Sequence, residues 1–258
     1  MLSKSKQKFI ISLQKKKERE KSGMFVIEGD KIVKEFISYG YEIVMLAAKP
    51  EYISGLAPGE SQQAGEVIAV SFDELRRISS MKTPHNALAV VRMPVREFDP
   101  EKAVGGLCVA LDFIQDPGNL GTIIRAAAWF GIKNLVCSEN CVDVYNPKVV
   151  QATMGALLNV DVYYTDLKEF LQKAQEKGRD VFGTYPGGEP IYEHPLADRG
   201  IIVLGNESRG ISESLSPFIT VRLGIPKFTS AKHGVESLNA GMAATVVFSE
   251  FARRHSHV

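Results

Sequence analysis

The chain has 258 residues, 45% hydrophobic and 24% charged, with a formal net charge of +1. These proportions match ordinary folded domains and exclude a disordered polyelectrolyte, and the length allows one large domain or two modest ones. No apolar run reaches the roughly 18 residues a membrane span needs, and no apolar signal core follows the N-terminal lysines, so neither a membrane protein nor a secreted one is expected.

Residues 1–21 carry Lys4, Lys6, Lys8, Lys15, Lys16, Lys17, Arg19 and Lys21 against Glu18 and Glu20. Such a cluster is either a solvated face or a contact for a polyanion, which it binds by releasing phosphate counterions. Lys15, Lys16, Lys17 and Arg19 are the candidate polyanion contacts. Phe9, Ile10, Ile11 and Leu13 interleave with the lysines, which favours an ordered segment over a loose tail.

Next come FVIEG as a strand and DKIVKEFISYG as a helix stopped by Gly40. YEIVMLAA and EVIAV read as strands, SFDELRRISS as a short capped helix and ALAVVRMP as a further strand. This is a small α/β unit over residues 1–97. The polar stretch REFDPEKAVGG contains the candidate linker, residues 98–106. From 107 to 258 the expected strands are LCVALDFI, NLVCS, VDVYY, DVFGTY, IIVLG and TVRLGI. Helices are expected after Asn119, Pro147, Asp166 and Glu236. Apolar strands alternating with helices imply a mostly parallel sheet covered on both faces. Cys108, Cys137 and Cys141 fit neither a disulfide framework nor a zinc site, so a reducing cytoplasm and no metal are expected.

Three loops at the ends of these strands carry polar residues that core building does not require, and strand ends are where such sheets hold ligands. In LDFIQDPGNLGTIIRAAAWFG, Asn119 is placed to cap a helix beginning near Leu120. Arg125 lies in that helix among isoleucines and alanines; it is either half of a structural ion pair or an anion-binding group. In IIVLGNESRGIS, Gly205 and Gly210 have phosphate-loop spacing, but Ile211 stands before Ser212 where the lysine would be needed, and Glu207 would repel phosphates. A glycine loop with one carboxylate suits an uncharged or cationic nucleoside better. In the third loop Ile225 and Pro226 end a strand, and Ser237, Leu238 and Asn239 open a helix rich in small residues. Asn239 inside a helix would cost propensity and asks for another explanation.

Taken together, these residues resemble the SpoU/TrmH-type RNA 2′-O-ribose methyltransferases of the SPOUT superfamily. Asn-Leu-Gly followed by Ile-Arg-Ala-Ala matches the first motif at Asn119–Ala127, and Leu204–Gly210 matches the second. Ile225–Pro226 with Glu236–Asn239 matches the third, and the front half is similar to the family's ribosomal-protein-like substrate-binding domain. The resemblance implies a small N-terminal α/β domain followed by a parallel-sheet catalytic domain with a C-terminal trefoil knot. It implies S-adenosylmethionine as cofactor, an RNA substrate (ribosomal more than transfer RNA) and a homodimer. By the same resemblance Gly205, Ile225 and Leu238 contact the cofactor, beside Leu204, Asn206 and Gly210, and Thr184 lines its pocket. Arg125 acts on the target ribose and its phosphate, with Asn119, Glu207, Ser237 and Asn239 holding the site together. A non-catalytic RNA-binding protein of the same fold is the competing class. The chain departs from the family in the length of KFTSAKHGV, which brings in Lys227, Lys232 and His233, and in placing Ser208 and Arg209 where many relatives carry smaller residues.

Overall fold

The computed structural model describes residues 2–229 and 237–255, and the chain divides into two compact units. The first comprises Met1–Arg96 and Asp143–Leu158, the second Glu97–Val142 and Asn159–Val258.

The first unit opens with α1 (Lys4–Ser12) and α2 (Lys16–Ser22). Ser3 caps α1 by accepting the Lys6 amide, and Gly23 closes α2 at φ 65°, a conformation glycine takes without Cβ strain. Lys15, Lys16 and Lys17 are exposed, while Ile10 and Leu13 are buried with Met45, Leu75, Ile78 and Leu88. The basic segment is thus ordered through its apolar face.

There follow β1 (Met24–Glu28), α3 (Asp30–Ser38), β2 (Ile43–Ala48), α4 (Pro50–Ser54), β3 (Val67–Ala69), α5 (Phe72–Ile78) and β4 (Ala87–Arg92). The sheet order is β1-β4-β2-β3, with β4 antiparallel to β1 and β2, and β2 parallel to β3. Hence β1, β2 and β3 end at one edge, where β4 begins. The capped helix expected from SFDELRRISS is α5, whose Ser71 and Glu74 form a reciprocal capping box.

The second unit begins earlier than its first strand. Within the stretch expected to be a linker, Asp99 caps α6 (Pro100–Ala103), and Ala103 and Val104 are buried in the second unit's core. Then come β5 (Leu107–Leu111), α7 (Pro117–Trp129) and β6 (Asn134–Cys137). The chain rejoins the first unit for α8 (Pro147–Thr153), and afterwards supplies β7 (Asp161–Tyr164), α9 (Leu167–Glu176), β8 (Val181–Pro190), β9 (Gly200–Leu204), β10 (Val221–Gly224) and α10 (Ala240–His255). The sheet order is β10-β8-β9-β5-β6-β7 and every neighbouring pair is parallel. β9 is buried along its whole length and β5 from Cys108 onward, as a sheet covered on both faces requires.

Arg19 shows why the fold claims Asp143 for the first unit. The residue is 1% exposed; Nε donates to Asp143 Oδ2 at 3.0 Å, and Nη1 donates to the Leu13 and Gln14 carbonyls at 2.8 and 2.9 Å. Nη2 pairs with the same carboxylate oxygen. A buried guanidinium needs this density of acceptors, since an unpaired buried charge is prohibitive. Arg19, expected as an RNA contact, is therefore a structural residue sealed inside the first unit.

Candidate active site

In a parallel sheet all strands end at the same edge, so the loops after β5, β9 and β10 open on one side. The first leaves β5 at Leu111. Asp112 is 5% exposed: its amide donates to the Leu204 carbonyl at 2.9 Å and its carboxylate accepts the Ser212 amide at 2.7 Å. One side chain so ties the loop after β5 to the loop after β9.

Asp116, not Asn119, caps α7, its carboxylate accepting the Asn119 amide at 2.8 Å. The helix starts a turn earlier than expected, and Asn119 falls inside its first turn with its side chain free for other work. That side chain donates through Nδ2 to Glu207 Oε1 and accepts at Oδ1 from Asn239 Nδ2 at 2.6 Å. Asn239 in turn accepts the amides of Gly241 and Met242 at 3.0 and 3.4 Å. It caps α10 from outside, which removes the propensity penalty expected of an interior asparagine. Glu207, Asn119, Asn239 and the first amides of α10 thus form one chain of donors and acceptors. Its carboxylate end is favoured by the positive end of the helix dipole. Gly241 makes this approach feasible, because a Cβ there would lie 2.8 Å from Thr122 Cγ2 on α7.

The loop after β9 is folded on itself. Asn206 and Gly210 exchange backbone hydrogen bonds of 3.0 and 2.8 Å, and Asn206 Oδ1 accepts the amides of Ser208 and Arg209. Gly210 has φ 68°, and a Cβ on Gly205 would sit 2.2 Å from the Gly210 carbonyl carbon. Both glycines are therefore demanded by geometry. Leu204 is buried and gives its carbonyl to Asp112. Between β8 and β10 the register slips: β10 pairs first with Phe182 and Gly183, then with Glu189 and Pro190. Residues 184–188 leave that ladder, and Gly188 returns against Leu223 and Gly224, where a Cβ would lie 2.5 Å from the Leu223 carbonyl carbon. Thr184 opens this excursion with its hydroxyl donating to the Val203 carbonyl at 3.1 Å.

The structure joins Asn119, Glu207 and Asn239 directly. Leu204, Gly205, Asn206, Gly210 and Ile225 lie where β9 and β10 end, and Thr184 lies where β8 leaves its ladder with β10. Ile225 is half-buried and Leu238 is 45% exposed, giving apolar surface beside a loop whose one carboxylate is Glu207. A backbone-lined, apolar rim with a carboxylate fits a cationic nucleoside such as S-adenosylmethionine. Ser237 is exposed at the start of the segment entering α10. Lys232 and His233 fall within 230–236, outside the described residues. Arg125 is exposed on α7, and no ion pair holds it among the described residues, which sets aside the structural-pair alternative. No hydrogen bond joins it to the Asn119 network either. Asp112 and Asp116 were not picked out from the sequence, although the Asp-Pro-Gly turn is itself a helix-start signal for Asp116. Among the described residues no cluster of His, Cys, Asp and Glu could hold a metal ion, and no helix is long and apolar enough to cross a membrane.

The SpoU rRNA Methylase family pattern matches residues 106–249, and the MRM3-like substrate binding domain pattern matches residues 4–89. The chain belongs to the SpoU rRNA methylase family. It is 28% identical to the Bacillus subtilis 23S rRNA (guanosine(2553)-2′-O)-methyltransferase RlmP, over 91% of each chain. Among solved structures, a TrmH-family protein from Porphyromonas gingivalis is 38% identical, with a TM-score of 0.87 covering 98% of this chain and 99% of that one. An rRNA methyltransferase from Sinorhizobium meliloti, solved with AdoMet bound, is 25% identical with a TM-score of 0.83, covering 99% and 97%.

Proposed function

We propose that the chain transfers a methyl group from S-adenosylmethionine to a ribose 2′-hydroxyl of RNA, with ribosomal RNA as the substrate. The observation that carries this is the Glu207–Asn119–Asn239 relay, which draws one residue from each of three separated motifs in a member of the SpoU rRNA methylase family. The cofactor supplies an electrophilic methyl group when bound. Gly205, Ile225 and Leu238 would hold it at the strand ends, with Thr184 alongside.

The chain's own work is positioning. Arg125 grips the phosphate next to the target ribose, where its guanidinium also stabilises alkoxide character developing on the 2′-oxygen. It cannot serve as the base, because arginine stays protonated with a pKa above about 12. Glu207 is the carboxylate of the relay, fixed by Asn119 and polarised from the α10 end.

The first unit contributes the RNA contact. Lys15, Lys16 and Lys17 are exposed there. A cavity of about 1020 Å³ opens at the edge where β1, β2 and β3 end, its lining including Lys31, Lys34, Lys49 and Phe72 together with Asp30 and Glu51. A homodimer is supported by Trp129 and Met242, 85% and 59% exposed on the mutually packed α7 and α10. The C-terminal trefoil knot and a cytoplasmic location belong to the same proposal, the latter supported by three buried free thiols.

The test is transfer of tritium from methyl-labelled S-adenosylmethionine to unmodified ribosomal RNA, with bulk transfer RNA as the parallel substrate. Ribosomal label together with one phosphodiester newly resistant to alkali is the expected result. Label confined to transfer RNA would move the substrate assignment, and absence of transfer with cofactor still bound would favour a non-catalytic RNA-binding protein.

A further inference from the structure

Phe113 has φ 60°, in the left-handed region that bulky side chains avoid. Among the described residues only Met154 shares this condition outside glycine. The conformation is enforced from several sides. The Phe113 amide donates to Ser138 Oγ at 3.0 Å, its carbonyl accepts Asn206 Nδ2 at 3.0 Å, and the next amide, Ile114, donates to Cys141 Sγ at 3.2 Å. Glycine would satisfy the same backbone without strain, so the backbone does not call for a ring here. Nor does the core, for the ring is only half-buried.

The ring's partner is Arg209, whose guanidinium carbon lies 5.0 Å from the Phe113 centroid. Arg209 is exposed, takes part in no ion pair among the described residues, and is held by its amide bond to Asn206 Oδ1 at 3.1 Å. Asn206 therefore anchors both members: its amide group holds the Phe113 carbonyl and its oxygen holds the Arg209 backbone. Two residues before Arg209 stands Glu207 of the relay. A strained aromatic and a free guanidinium are thus locked together beside the proposed chemistry, and local strain of this kind is kept where it serves a site.

We infer that Phe113 and Arg209 form a stacking subsite for a nucleobase of the RNA substrate, next to the nucleotide that is methylated. The inference rests on the methyltransferase function proposed above. Guanidinium planes and aromatic rings are the two surfaces on which unpaired bases stack. Phe113 backs the guanidinium on one face and leaves the other to the base, while the positive charge draws the phosphate chain. The adenine of the cofactor offers the same stacking chemistry, but the cofactor's sulfonium is a cation and Arg209 disfavours it; a polyanion is favoured.

Two variants test this. Phe113→Asn accepts the left-handed backbone while deleting the ring, and Arg209→Lys keeps the charge while deleting the plane. Each is expected to raise KM for unmodified ribosomal RNA about tenfold, the scale of one stacked base, with kcat within about twofold by the same reasoning. The S-adenosylmethionine Kd stays at the wild-type value, and Phe113→Asn melts no lower than wild type. Wild-type KM in both variants overturns the subsite while leaving the methyltransferase function intact. A cofactor Kd that weakens in step with KM overturns it in favour of the cofactor's adenine. If the wild-type protein methylates no RNA at all, the proposed function falls and the subsite with it.

Discussion

Arg19 in the first unit and Arg125 in the second occupy opposite environments, each the reverse of what its neighbours in sequence suggest. Arg19 lies in a run of exposed lysines and is buried; Arg125 lies among isoleucines and alanines and is exposed. Helical spacing resolves the contrast. On α7, Gly118, Thr122, Arg125 and Trp129 form the outward stripe, while Leu120, Ile123, Ile124 and Ala127 face the core. On α2, Lys16, Lys17 and Glu20 point out, and Arg19 turns inward to Asp143. What matters for a cation's role is the face it occupies and the acceptors it meets there, more than the composition around it.

The largest effect that would break this contrast is at Arg19. Arg19→Ala and Asp143→Ala should each destabilise the first unit by about 3–5 kcal/mol, since either leaves a buried charge without its partner. Chemical denaturation followed by hydrogen exchange in β1 and β4 reads this; an Asp143→Ala protein as stable as wild type would return Arg19 to the RNA surface. Arg125→Ala should do the converse, lowering methyl transfer roughly 10²–10³-fold at unchanged stability and cofactor affinity. Single-turnover kinetics on an RNA substrate decide it, and a melting temperature that falls along with the rate would mark Arg125 as structural.

A smaller effect sharpens the comparison within α2. Replacing Lys15, Lys16 and Lys17 by Gln should flatten the log–log salt dependence of RNA binding by about two, the release expected for three phosphate contacts. An unchanged slope would leave those lysines as solvated charges. The smallest effect concerns the second unit's own sealed charge. Glu250 is 5% exposed, and Arg253 and then Arg254 hold its carboxyl below the ordinary value of 4.5. A depressed folded-state value means stability present above the ordinary value and lost as pH falls through the lowered one. Glu250→Gln should therefore melt roughly 2–4 °C lower at neutral pH, and the gap should close on acidification below pH 4.5. A gap that is constant with pH would remove the ion pairs as its cause.

Much of the strand framework was legible because continuous apolar runs and Gly/Pro punctuation are local signals; every expected strand has a counterpart. The capping box at Ser71 and Glu74 was equally local. Asn119 and Asn239 were picked out for the right loops but given the wrong local roles. Deciding which of Asp116 and Asn119 caps α7 needs the turn geometry of Asp-Pro-Gly-Asn, and the bond between the two asparagines spans 120 positions. Arg19 could not be separated from its lysine neighbours, because its partner Asp143 is 124 residues away. Phe113 carried no pattern at all: a positive φ at a phenylalanine is held by Ser138 and Cys141 of the loop after β6 and by Asn206 of the loop after β9, all distant in sequence.

The return of residues 143–158 to the first unit means that the polypeptide crosses between the units three times, not once. A gene fragment ending near residue 97 would encode every strand of the first sheet and still lack Asp143, Tyr145 and α8. Its product would carry Arg19 with no carboxylate and Phe25 without the Tyr145 ring that packs on it at 4.6 Å. Recombination of the front half onto another catalytic domain would have to transplant two separate stretches of sequence. Exchange of the whole front unit therefore carries a cost that substitution of loop residues does not, and substrate range is expected to change more readily through the loops.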